Sequence, residues 1–202
     1  MIMRIDFYRI SVIMNLMTPF YIILGIIALV VIGFIAIYNG LVRKRNRADE
    51  AWSDIEVQMK RRYDLIPNVL ETVKGYAAHE RGALEGVTAA RTAAMSARGP
   101  DTKLKAENAL SGTLKSLFAV AENYPDLKAN ANFLDLQREL SDTENKIQAS
   151  RRFYNGTVMD YNTALQSFPS NLVSGLFGFV KKELFGLDSA DSAARNPVAV
   201  KF

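Results

Sequence analysis

Uncharged positions run unbroken from Ile10 to Val42, and within them Pro19–Tyr38 (PFYIILGIIALVVIGFIAIY) is almost wholly apolar. Twenty helical residues rising about 1.5 Å each cover about 30 Å, the thickness of a bilayer's hydrocarbon core. A helix buried in a soluble protein keeps a polar edge where it meets water, and this run has none. The pattern predicts a transmembrane helix over 19–39. A cleaved signal peptide has a shorter apolar region, about 7–15 residues, ending in small side chains. Here the run ends Ala36-Ile37-Tyr38-Asn39-Gly40, and Tyr38 makes a poor cleavage boundary. A retained span is expected, preceded by a short leader over 1–18 in which Met3, Met14 and Met17 are further possible starts.

Beyond Val42 the pattern takes the period of a helix. Trp52, Ile55, Met59, Ile66, Leu70, Val73, Ala77, Leu84 and Val87 follow mostly at spacings of three and four, a heptad-like seam predicting one long helix from Ala48 to Arg98. Arg62 and Glu80 interrupt the seam, and Pro67 inside it should kink the helix near 63–66. Gly99-Pro100-Asp101 reads as a stop and a restart, with glycine at C′ and Asp101 as the next cap. A second helix is expected over 102–122, with Leu110, Leu114, Leu117, Phe118 and Ala121 on one side. Asn123-Tyr124-Pro125-Asp126 breaks it. A third runs over 130–166 on Phe133, Leu136, Leu140, Thr143, Ile147, Ser150, Tyr154, Val158, Tyr161 and Leu165. Phe168-Pro169-Ser170 stops that helix, and Ser170 is placed to cap a last one over 171–185.

No stretch sustains strand alternation. Amphipathic helices on short connections must bury their seams against one another. The fold class expected is all-α: a single transmembrane helix, then an antiparallel bundle of two long and two shorter helices over 40–186. The tail 187–202, polar and small until its last five residues, is expected to be mostly disordered.

Charge adds orientation. Arg43, Lys44, Arg45 and Arg47 follow the span, against Arg4 and Arg9 before it. The positive-inside rule then puts the N-terminus outside and the large domain in the cytoplasm. The net charge of +4 is concentrated near the span, which favours anionic lipid over nucleic acid as the neighbour. The absence of cysteine removes disulfides, thiolate metal sites, cysteine nucleophiles and a lipoprotein anchor.

Four blocks carry a resemblance: EAWSDIEVQMKRRYDLIPNVLETVKGYAAHE (50–80), AENYPDLKANANFLDLQREL (121–140), TENKIQASRRFYNGTVMDYN (143–162) and FPSNLVSGLFGF (168–179). In this order they resemble the LemA family of bacterial membrane proteins, over roughly 38–185. Ser150 stands where the family more often has alanine, and residues 1–16 lie outside the likeness. The resemblance implies a single-pass protein of the bacterial inner membrane with a small outside N-terminus and a helical cytoplasmic domain. It brings no catalytic residues with it.

The residues themselves supply little for catalysis. His79 is the sole histidine, no Glu-x-x-His pair exists for a bundle metal site, and neither a G-x-S-x-G elbow nor a glycine-rich phosphate loop is present. No enzyme activity, metal or cofactor is expected. The candidate lipid-facing or partner-facing residues are Arg43, Lys44, Arg45, Arg47, Lys60, Arg61, Phe179, Lys181 and Lys182. Arg62 is read as snorkelling or pairing with Glu139 or Glu144, so that polar seam positions set helix register. Lys103 is expected on the surface. In the last helix, Leu172, Leu176 and Val180 are expected to pack on the bundle and Phe179 to be exposed.

Two functions fit. One is a non-enzymatic scaffold or adaptor whose partners are the bilayer and other membrane proteins or copies of itself. The other is a membrane-shaping protein that acts on anionic lipid through its basic juxtamembrane segment and last helix.

Overall fold

The computed structural model of the chain describes the backbone of residues 2–186 and the side chains of residues 17–186. The expected disordered tail, 187–202, lies outside the described residues. Among the described residues the elements are all helical: α1 (Ile2–Tyr76), α2 (Arg81–Ser96), α3 (Pro100–Ala121), α4 (Pro125–Lys128), α5 (Ala131–Gln166) and α6 (Ser170–Leu176). They group into two compact units. Of the described residues, one takes in 2–44 with Thr163–Val180, and the other takes in Arg45–Asn162 with 181–186.

The second unit is the antiparallel bundle the seams call for. Its core is Ile55, Met59, Ile66 and Val73 of α1, Val87 and Ala94 of α2, Leu110, Leu114 and Leu117 of α3, and Phe133, Leu140, Ile147 and Val158 of α5. Trp52 meets Tyr154 at 5.3 Å between ring centroids, while Arg61, further along α1, pairs with Glu139, further back along α5. The two long helices therefore run in opposite directions.

The single helix expected over 48–98 is instead a helical hairpin. α1 ends at Tyr76 and α2 begins at Arg81, with the turn closed by the Glu80 N–H donating to the Ala77 carbonyl at 3.1 Å. Gly75 and Gly82 flank the turn, each less favourable in a helix than alanine by about 1 kcal/mol. No large apolar side chain lies between Tyr76 and Leu84 to hold a straight helix to the core. Reversal lets Val73 and Val87 reach the same interior.

Helix ends differ from expectation in two more places. Gly99, with φ of 80°, is the N-cap of α3 rather than a C′ glycine of α2, and Pro100 takes the first helical position. Asp101 therefore sits inside the first turn, where its charge meets the positive end of the helix dipole. The last helix covers only Ser170–Leu176, with Pro169 at its cap, and Ser170 Oγ donates to the Ser167 carbonyl at 3.1 Å. From Phe177 the chain leaves the helix, turns at Gly178 (φ 66°) and continues non-helical to Gly186.

Candidate functional site

The first unit joins the apolar run to the last helix. α1 is the one helix among the described residues that is long and apolar enough to cross a membrane. Its positions from Phe20 to Ile32 are exposed. Within this unit Phe177 lies 4.7 Å from Tyr38 and 5.8 Å from Phe34 between ring centroids, and Phe179 lies 5.7 Å from Tyr38. Ser174 is buried and its hydroxyl meets the carbonyls of Leu165 and Asn171 at 3.1 and 3.0 Å. The remaining apolar side chains point outward: Phe168 is 80% exposed, Leu172 64%, Leu176 72% and Val180 75%. This reverses the expected assignment. The short helix turns Val173 and Ser174 inward, and Phe179 is half-buried while Leu172, Leu176 and Val180 are exposed.

The basic candidates belong to both units. Arg43, Lys44, Arg45 and Arg47 are exposed on α1, and the Arg47 guanidinium lies 5.7 Å from the Phe153 ring. Lys60 pairs with Asp64 at 3.0 Å, Arg61 with Glu139, and Lys182 with Asp49, while Lys181 is exposed. Exposed pairs of this kind contribute at most about 1 kcal/mol each.

Four helices share a buried polar network that the sequence reading found only in part. Arg62 is 4% exposed; it lies 2.9 Å from Glu144 and 3.3 Å from Glu107, and donates to Ser111 Oγ at 2.8 Å. The alternative pairing of Arg62 with Glu139 is not formed, since Glu139 takes Arg61. The Tyr63 hydroxyl donates to Glu107 and also meets the Ala94 carbonyl at 3.3 Å. Burial, and then the Glu107 hydrogen bond, push the Tyr63 phenol far above its ordinary range. Lys103, expected on the surface, is buried: its Nζ donates to the Ala94 carbonyl at 2.9 Å and sits 5.4 Å from the Tyr63 ring centroid.

α1 stays helical through Pro67, but proline has no N–H to give the carbonyl four residues back. That carbonyl belongs to Tyr63, and Arg91 Nε of α2 donates to it at 2.8 Å. A neighbouring helix thus satisfies the acceptor that proline leaves open.

The other built feature of the bundle is a strap. Residues 181–186 cross α5 and are held through their main chain. The Lys182 N–H donates to Asn162 Oδ1 at 3.0 Å, and Asn162 Nδ2 donates to the Lys182 carbonyl at 2.8 Å. Asn155 treats Phe185 the same way, at 2.8 and 2.9 Å. Tyr154 donates to the Glu183 carbonyl at 2.9 Å between them. Phe185 is 1% exposed, with its ring 5.6 Å from Trp52 and beneath the Arg151 guanidinium at 4.7 Å. Beside the strap a cleft of about 460 Å³ is lined by Asp49, Trp52, Arg98, Lys103, Tyr154 and Lys182. His79 is exposed in the turn between α1 and α2, and among the described residues no three His, Cys, Asp or Glu side chains gather to hold a metal.

Neither asparagine figured among the expected site residues. The available signal was their spacing of seven, two turns of α5, beside the buried Tyr154 and Tyr161. For the network the signal was the α3 seam: carried back from Leu110 by three and four, it reaches Glu107 and Lys103.

The chain matches the model of the LemA family over residues 51–202. It is 30% identical over 140 residues to Protein LemA of Metamycoplasma hominis, covering 67% of this chain and 63% of that protein. Over 197 residues it is 24% identical to Magnetosome protein MamQ 2 of Paramagnetospirillum magneticum and 23% identical to Magnetosome protein MamQ of Magnetospirillum gryphiswaldense. Each of these matches covers 83% of this chain and 72% of the relative. With an apolar N-terminal helix and a helical bundle, the chain is a membrane-associated helical protein, and it belongs to the LemA family.

Proposed function

We propose that this protein is a non-enzymatic, single-pass scaffold of the bacterial inner membrane with a cytoplasmic bundle, and that α6, in the same compact unit as the span, also meets the bilayer. The observation that carries this reading is the outward row Phe168, Leu172, Leu176 and Val180, in the same compact unit as the span and with Phe177 beside Tyr38. Exposed apolar patches mark interaction surfaces. Tyr38 ends the apolar run, so a patch held at its level lies where a bilayer's headgroup layer would be. Arg43 and Lys44, in the same unit on α1, give that level a positive charge suited to anionic lipid. The MamQ relatives are named as magnetosome proteins, and their names carry no reaction. The bundle requires no cofactor in this role, and its partners are other membrane proteins or further copies of the chain.

The same patch favours the second reading, membrane shaping, because a short helix seated in one leaflet acts as a wedge. Both readings are tested with the full chain in liposomes. The chain has no cysteine, so Leu176→Cys takes a single environment-sensitive fluorophore. The scaffold reading expects blue-shifted emission quenched by spin-labelled lipid; a water-like spectrum untouched by the quencher overturns the lipid contact. If the wild-type chain also narrows or tubulates vesicles and Leu172→Asp/Leu176→Asp does not, shaping is the activity. If neither changes vesicle form, the scaffold reading stands alone.

A further inference from the structure

The strap is held as a bound peptide is held. Asn155 and Asn162 each bracket one residue of the segment, donating to its carbonyl and accepting from its N–H. Such contacts ignore side chains and require only non-helical backbone with free donors and acceptors. Selectivity comes from three further points. Phe185 fills a pocket closed by Trp52 and the Arg151 guanidinium. Lys182 reaches Asp49. After Phe185 the chain turns with Gly186 at φ of 77°, where a Cβ would stand 2.6 Å from Arg151 Nη2 and 3.2 Å from Leu104. The groove therefore reads the sequence Lys-x-x-Phe-Gly.

We infer that this groove is a peptide-binding site for a Lys-x-x-Phe-Gly segment, filled in cis by residues 182–186 and in trans by the same segment of a second copy of this chain. The fit itself argues for the second copy: the segment seen to satisfy every contact is the chain's own, and each further copy carries it. Residues 163–180, which lead into the strap, pack in the other compact unit, so the strap is a separate piece seated on the bundle. Exchange of an identical element between protomers loses no contact, and the span keeps copies in one plane at high local concentration. The inference deepens the scaffold reading by naming its partner. The two fail separately, because exchange is read from chain-to-chain pairing and α6 insertion from the Leu176→Cys fluorophore.

Complementation tests it with full-length chains in liposomes. The donor carries Asn155→Ala/Asn162→Ala and keeps its strap; the acceptor carries Lys182→Ala/Phe185→Ala and keeps its groove. Labelled with a fluorescent pair and mixed, donor and acceptor should show energy transfer several-fold above that of either variant alone. No excess over the single variants overturns the proposal. A fluorescein peptide of residues 180–186 (VKKELFG) should bind the acceptor and lose about tenfold or more in affinity for each asparagine removed from it. Peptide binding without chain pairing overturns the second copy as occupant, and refusal of the peptide by a folded acceptor overturns the groove. If circular dichroism finds the Phe185→Ala acceptor unfolded, Gly186→Val replaces it. That change loosens the strap by forcing a β-branched residue to positive φ and leaves the Phe185 side chain in place. The same criteria apply to it.

Discussion

Arg62 is the residue on which most of the buried polar network converges, and its removal tests what that network contributes. Arg62→Met strands Glu107 and Glu144 without their cation, and should lower stability by about 3–5 kcal/mol in denaturant titrations. Lys103→Ala, unlike a surface lysine change, should cost about 1–3 kcal/mol, because Lys103 is buried on the Ala94 carbonyl. Arg91→Met should cost a similar amount by leaving the Tyr63 carbonyl without a donor, and the loss should shrink in a Pro67→Ala background, where the helix supplies its own N–H. A double-mutant cycle reads the difference. Tyr63 adds a pH dependence. Its folded pKa lies above the ordinary 10.0, so its contribution is complete below about pH 10 and falls away as pH climbs beyond that. Melting temperature should drop from pH 9 to 11.5, and Tyr63→Phe should flatten the drop.

Helices were easier to foresee than their ends. The α5 seam at spacings of three and four gave that helix to within a residue, because a long apolar stripe has one way to be buried. The α1–α2 hairpin was hidden because its turn contains no proline and its glycines stand outside it, at 75 and 82. The end of α6 was hidden for a different reason. Residues 177–185 are apolar enough to continue a helix, yet the main chain of 182, 183 and 185 finds partners in Asn162, Tyr154 and Asn155, which no local pattern announces. Seam depth also differs along an element. Phe133 is 3% exposed whereas Leu70 is only partly buried, so Phe133→Ala should cost about 3–5 kcal/mol and Leu70→Ala distinctly less. Equal losses in thermal unfolding would mean the core is drawn wrongly.

For the whole molecule, the proposed orientation makes a direct prediction. Single cysteines introduced at exposed positions of the bundle, such as Lys105 or Arg138, should resist a membrane-impermeant thiol reagent in intact cells and react once the cells are opened. Labelling before lysis would put the bundle outside. The Asn155 clamp, finally, sets a chemical lifetime. Asn155 is followed by Gly156, and a glycine amide nitrogen attacks the preceding side-chain carbonyl readily because nothing on its α-carbon obstructs the approach. Inside α5 that nitrogen is held in the helix and kept from the attack, so the folded molecule guards its own asparagine. Each unfolding event lifts that guard. The attack expels ammonia and closes a succinimide that water reopens to isoaspartate or aspartate at position 155, so a carboxylate oxygen replaces the Nδ2 donor to the Phe185 carbonyl. Old molecules should therefore lose their hold on the strap.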